Sequence, residues 1–146
     1  MKFKLIIDKE SDEEIVARVH AESELTREIE NLVLSWGGSN FLLAHDGDEM
    51  RRIAFSDIEC ITVEDRKTII VDKRGIKCRA RGRLFEIEEL LPSYFVRINK
   101  SSIANLHMIK RFKTSFNGSV DLEFNCGYVD YVSRRCLPDV KRRFLK

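Results

Sequence analysis

The chain has 146 residues, 43% of them hydrophobic and 34% charged, with only seven Gly and two Pro. That is the make-up of one ordinary folded domain with a small appendage, and no stretch nears the roughly 18–20 apolar residues that a membrane span needs. The net charge of +2 hides an uneven distribution: residues 1–65 hold 7 Lys/Arg against 16 Asp/Glu, a net of −9, whereas residues 66–146 hold 19 against 8, a net of +11.

At the start, Phe3, Leu5 and Ile7 fall at the period of two that marks a strand, and so do Ile15, Ala17 and Val19. These two runs predict an N-terminal β-hairpin. A competing signal is Ser11-x-x-Glu14, a capping-box pattern that would start a helix there instead. Leu25, Ile29, Leu32, Val33 and Trp36 then share one helical face, with Ser23 placed to cap it and Gly37-Gly38 placed to end it. That stripe reads as core or dimer surface. The expected division is an extension over residues 1–40, serving assembly or regulation, and a second domain over 41–146.

From Phe41 onward short β-type runs follow one another: 41–44, 49–55, 60–63, 68–71 and 76–81. Asp46-Gly47 and Arg74-Gly75 are turn signals between them. Leu84, Ile87, Leu90 and Leu91 predict a short helix stopped at Pro92. Strand-like runs resume at 95–98, 108–116, 120–124 and 128–132, with Asn117-Gly118 as the best hairpin turn. Pro138 to Leu145 suits a terminal helix with Pro in its first turn. The expected fold class is mostly β, a β-rich α+β arrangement.

No catalytic or cofactor constellation emerges. His20, His45 and His107 are scattered, and Ser101-Ser102 lacks the glycine framing of a nucleophile elbow. There is no phosphate-cradling glycine loop. Asp46-Gly47-Asp48-Glu49 has too few ligands for a calcium loop. Cys60, Cys78, Cys126 and Cys136 form no C-x-x-C pair and read as buried thiols rather than zinc ligands. The expectation is no enzyme, no metal, no cofactor and a cytoplasmic location.

The basic residues recur where strands end. One group is Asp65-Arg66-Lys67, a second is Arg97-Ile98-Asn99-Lys100-Ser101, and a third is Ser133-Arg134-Arg135. Arg and Lys suit guanine acceptors, Asn suits adenine, and Ser, Lys and Arg hold phosphates. Three such groups in one basic half point to nucleic acid.

The run Phe95-Val96-Arg97-Ile98-Asn99-Lys100-Ser101-Ser102-Ile103-Ala104-Asn105 resembles the central signature of the LytTR DNA-binding domain. Ile58 to Lys67 is similar to the strand and turn that precede it, and Val132-Ser133-Arg134-Arg135 is similar to the lead into its last helix. The likeness spans about residues 41–145. It implies small stacked β-sheets with a few short helices, and DNA read by loops rather than by a recognition helix. It also implies a bacterial transcription regulator of paired direct-repeat half-sites, with Arg66, Lys67, Asn99, Lys100, Ser101, Arg134 and Arg135 on double-stranded DNA. Many members carry a histidine and an arginine where this chain has Asn99 and Lys100. The first 40 residues are too short for a receiver domain, so the chain resembles the stand-alone members. For some of these the resemblance implies a restraining membrane-protein inhibitor, and the expected assembly is a homodimer or a pair of protomers loaded together on DNA. Two rival readings are an RNA-binding module, which would need exposed stacking aromatics, and a protein-interaction regulator without DNA binding.

Overall fold

The computed structural model describes residues 1–10, 14–37 and 40–145. The chain divides into two compact units, Met1–Gly38 and Ser39–Lys146.

In the first unit the helix forms as its periodicity predicts: α1 covers Glu24–Gly37. Ser23 caps it. The Thr26 N–H donates to Ser23 Oγ (3.4 Å), and the Ser23 N–H donates back to Thr26 Oγ1 (2.9 Å). This is a capping box with threonine in the place of the usual Glu or Gln. Ser11, which would open the competing helix, Gly38 of the helix stop and the Trp36 side chain lie outside the described residues.

The expected N-terminal hairpin is not there. Neither 1–10 nor 14–22 contains a strand, and Phe3, Leu5 and Ile7 are 90%, 71% and 80% exposed. The reason is physical: alternation offers an apolar face, but a two-stranded ribbon is marginal in water unless a third strand or a helix covers that face.

The second unit is built from ten strands and two helices. They are β1 (Phe41–Asp46), β2 (Glu49–Ala54), β3 (Ile58–Glu64), β4 (Lys67–Asp72), β5 (Lys77–Ala80), α2 (Leu84–Leu90), β6 (Phe95–Asn99), β7 (Ser102–Asn105), β8 (Ile109–Thr114), β9 (Val120–Phe124), β10 (Val129–Val132) and α3 (Leu137–Phe144). Each run expected from Phe41 onward is present, and β7 is an addition. Strands β2-β1-β5-β4-β3-β7-β6 form one antiparallel sheet, and β10-β9-β8 form a second. The fold is mostly β with small stacked sheets and short helices, as expected.

Neighbouring side chains on a strand point to opposite faces, and here both faces of the middle strands are buried. Ile61 and Ile70 join Leu42, Phe55, Ile87 and Phe95 in a core that α2 covers. Cys60 and Val71 join Ile98, Leu122, Phe124 and Val140 in a second core beneath the three-stranded sheet and α3. This is why β3 and β4 read as continuous apolar runs without alternation.

The β3–β4 register shifts between Ile58 and Cys60, a bulge that leaves the fully buried Glu59 with its carboxylate on the second sheet. There it accepts the Cys126 N–H at 3.0 and 3.2 Å. Burial pushes the Cys60 thiol well above its ordinary value, and burial and Glu59 raise that of Cys126. All four cysteines are free.

Candidate nucleic-acid interface

The β3–β4 connection is a two-residue turn in which Asp65 (φ 48°) and Arg66 (φ 64°) both adopt left-handed backbone. A turn with both central residues at positive φ matches the twist of a hairpin, and Asn-Gly is its usual sequence. Neither residue here is Gly, so the turn stores roughly 1–2 kcal/mol per residue. Arg66 and Lys67 are both exposed.

The β6–β7 connection is Lys100-Ser101. Asn99 Oδ1 accepts the Ser101 N–H (2.8 Å), and Arg97 Nη1 donates to the Lys100 carbonyl (2.9 Å). Arg97 is itself held by Glu88 of α2, which accepts from Nη2 at 2.6 Å. Lys100 is exposed and Ser101 half-buried. The Val63 N–H donates to the Ser101 carbonyl (2.9 Å), which places this turn beside the end of β3.

Asn99 departs from expectation. It is 1% exposed, and both ends of its amide are engaged: Nδ2 donates to the Tyr131 carbonyl (2.8 Å) and lies 3.3 Å from Asp130 Oδ1, while Oδ1 holds the turn. Both Nδ2 protons are thus directed into the protein. The cause is a second bulge, between Arg97 and Asn99 in the β6–β7 register. It breaks the alternation, so that Ile98 and Asn99 are both buried. Asn99 thus holds the turn from within, and Lys100 is the exposed group of this turn.

The third connection joins β10 to α3. Ser133 organises it: its N–H donates to the Ile98 carbonyl (2.9 Å), its carbonyl accepts the Leu137 N–H (3.0 Å), and its Oγ accepts the Cys136 N–H (3.2 Å). Arg134 and Arg135 sit exposed on the outside of this tight turn. Pro138 lies in the first turn of α3 as predicted, and the buried Val140 fastens that helix to the second core.

The three connections meet at one end of the unit. Ser101 bonds to Val63 at the end of β3, and Ser133 bonds to Ile98 at the end of β6. Among the described residues Arg66, Lys67, Lys100, Arg134 and Arg135 enter no ion pair, as is also true of Arg79, Arg81, Arg83, Lys110 and Lys141, whereas Lys73, Arg74, Lys77, Arg97, Arg111 and Lys113 are each paired with a carboxylate. Exposed guanidinium and ammonium groups without a carboxylate partner carry charge that an anion can neutralise. Arg forks suit phosphate or guanine, and Lys acts as a compact charge on phosphate.

Sequence reading missed the groups that hold these turns: Arg97 as the clamp on Lys100, and the polar chain of Thr62, Ser102 and Asp130 under the surface. A serine next to the Asn99 turn was the sole hint. Among the described residues no grouping of His, Cys, Asp and Glu could hold a metal ion, and no helix is long and apolar enough to cross a membrane.

Comparison with known proteins places residues 48–145 in a match to the family described as the LytTr DNA-binding domain. The chain is 30% identical over 145 residues to a protein of Staphylococcus aureus strain bovine RF122 / ET3-1 described as an uncharacterized HTH-type transcriptional regulator, covering 98% of this chain and 97% of that one. A second such protein, from strain MSSA476, is 28% identical over 144 residues with the same coverage. A solved LytTr DNA-binding domain from Bacillus cereus has the same fold, with a TM-score of 0.66 and 22% identity over 73% of this chain and 97% of that domain. The relatives' names speak of a helix–turn–helix, yet here no two helices follow one another among the described elements.

Proposed function

The chain belongs to the LytTr DNA-binding domain family, and from that membership we propose that it is a transcription regulator which binds duplex DNA and reads paired direct-repeat half-sites through its basic turns. The observation that carries this reading is the meeting of the three turns at one end of the second unit, with five exposed cations that no carboxylate neutralises. Such turns fit the major groove. Phosphate neutralisation by Lys67 and Lys100 supplies affinity that weakens with salt. Arg66, Arg134 and Arg135 supply forks for base edges, and Ser101 supplies a phosphate contact.

Residues 41–146 serve as the DNA-binding domain in this reading. Residues 1–40 serve assembly, pairing two protomers on the two half-sites. The exposed Phe3, Leu5, Ile7 and Leu32 of the first unit offer apolar area for that contact.

Selection of bound sites from random duplex DNA tests the proposal. Enriched direct repeats are expected, with duplex DNA outcompeting single-stranded RNA in a gel shift. A pool with no enriched sequence overturns it.

A further inference from the structure

A chain of polar groups, with Thr62, Asn99 and Ser102 buried and Asp130 half-buried, links the two sheets close in sequence to the three turns. Ser102 Oγ donates to Asp130 Oδ2 (2.5 Å), and Thr62 Oγ1 lies 2.7 Å from Ser102 Oγ. Because the Ser102 proton is directed to a carboxylate, Thr62 is the donor in that second contact. Asp130 Oδ1 also accepts the Tyr131 N–H (2.8 Å), and Asn99 bridges Asp130, the Tyr131 carbonyl and the Ser101 N–H. Thr62, Asn99 and Ser102 are 5%, 1% and 1% exposed. Their surroundings are the apolar second core, with Cys60, Ile98, Ala104 and Val132 close by in sequence.

The placement is informative. Thr62 lies four residues before Arg66 on β3. Asn99 and Ser102 flank Lys100-Ser101. Asp130 lies four residues before Arg134 on β10. Each basic turn thus has its own member in one continuous hydrogen-bonded chain. Apolar contacts are non-directional and tolerate small sliding of one sheet over the other. Hydrogen bonds to buried side chains such as Thr62, Asn99 and Ser102 do not, because a displaced side chain is left unsatisfied away from water. A base-reading constellation must be held to within about 0.5 Å to be productive.

We infer that Thr62, Ser102, Asp130 and Asn99 are positioning residues that fix the mutual spacing of the three basic turns, so that discrimination between DNA sequences depends on them while sequence-independent affinity does not. The inference rests on the DNA-reading role proposed above. None of the four needs to touch DNA. A group serving only stability would change both kinds of binding together, through the fraction folded.

The test measures the ratio of affinities for the selected site and for an unrelated duplex, together with the salt dependence of each, on full-length Ser102→Ala, Thr62→Val and Asp130→Asn, with wild-type thermal unfolding as the reference for folding. Ser102→Ala removes the link between β3 and β10, and Thr62→Val removes one hydroxyl at nearly constant shape. The expected result is a fall of about tenfold in the ratio for Ser102→Ala, with non-specific affinity and salt slope unchanged. Lys67→Ala is the opposite control: a flatter salt slope with the ratio preserved. Should Asp130→Asn fail to fold, the other two variants still decide. Folded Ser102→Ala and Thr62→Val chains that discriminate as well as wild type overturn the inference alone. A wild-type chain that prefers no duplex sequence overturns the DNA-reading role and the inference with it.

Discussion

Met1–Gly38 and the β9 strand of Ser39–Lys146 show the same apolar alternation and end differently. In β9 Val120, Leu122 and Phe124 are buried in the second core. In the first, Phe3, Leu5, Ile7, Ile15 and Val16 each remain more than half exposed. The difference teaches that a period of two makes a strand only where the chain supplies a neighbour for its backbone and a layer for its face. The second unit supplies both within itself. The first has its own capped helix and leaves its apolar side chains exposed.

The sharpest way to break this comparison is truncation of one phenylalanine in each unit. Phe124→Ala is expected to cost about 3–5 kcal/mol of unfolding free energy, whereas Phe3→Ala is expected to change it by less than about 0.5 kcal/mol. Denaturant unfolding of the two variants checks this, and equal losses would erase the distinction. On the functional side, Arg135→Ala is expected to weaken specific binding by about 1–3 kcal/mol and to relax preference at one base pair. Quantitative gel shifts against single-substitution sites report it, and full discrimination in the variant would remove Arg135 from the readers.

Asp72 gives a smaller effect with a definite sign. Burial alone would raise its carboxyl, but N–H groups of Ile76 and Arg74 (both 2.9 Å) and the Arg74 guanidinium outweigh burial and hold it below the ordinary range. A group depressed in the folded state stabilises above its unfolded value, near pH 4, and that contribution is lost as pH falls through the lower folded value. Wild type is therefore expected to lose stability on acidification below about pH 4 more steeply than Asp72→Asn. At neutral pH the variant is expected to be less stable by about 1–2 kcal/mol. Thermal unfolding across that range checks both.

The smallest expected effect is the most diagnostic of the turn. Arg66→Gly relieves left-handed strain and is expected to raise stability by about 0.5–1 kcal/mol while lowering DNA affinity. Stability and binding moving in the same direction would count against the cation's role.

Most of the second unit was legible because its signals are local. Asp46-Gly47 and Asn117-Gly118 mark hairpins, Pro138 marks the start of α3, and three basic groups mark three connections. What escaped was non-local. Ser102–Asn105 has all four residues buried, so β7 shows no alternation, and only its pairing with β3 and β6 makes it a strand. The burial of Asn99 was not legible because a sequence displays a side chain's chemistry but not its direction, and the β6–β7 bulge places Ile98 and Asn99 both inside. The expected N-terminal hairpin failed for the converse reason: its pattern was right and its third layer was missing.

The wall that β3 and β4 present to both cores has a consequence for how the molecule is made. Cys60 and Ile61 are consecutive, yet they belong to different cores, so neither core can melt without exposing the other through the shared strands. The second unit is expected to unfold in one cooperative transition. Its basic end is completed only when β3 pairs with β7, some 40 residues away, and when β10 reaches β6 through Ser133 and Ile98. These are long-range closures. An unfolded chain therefore carries all the cations but not their arrangement.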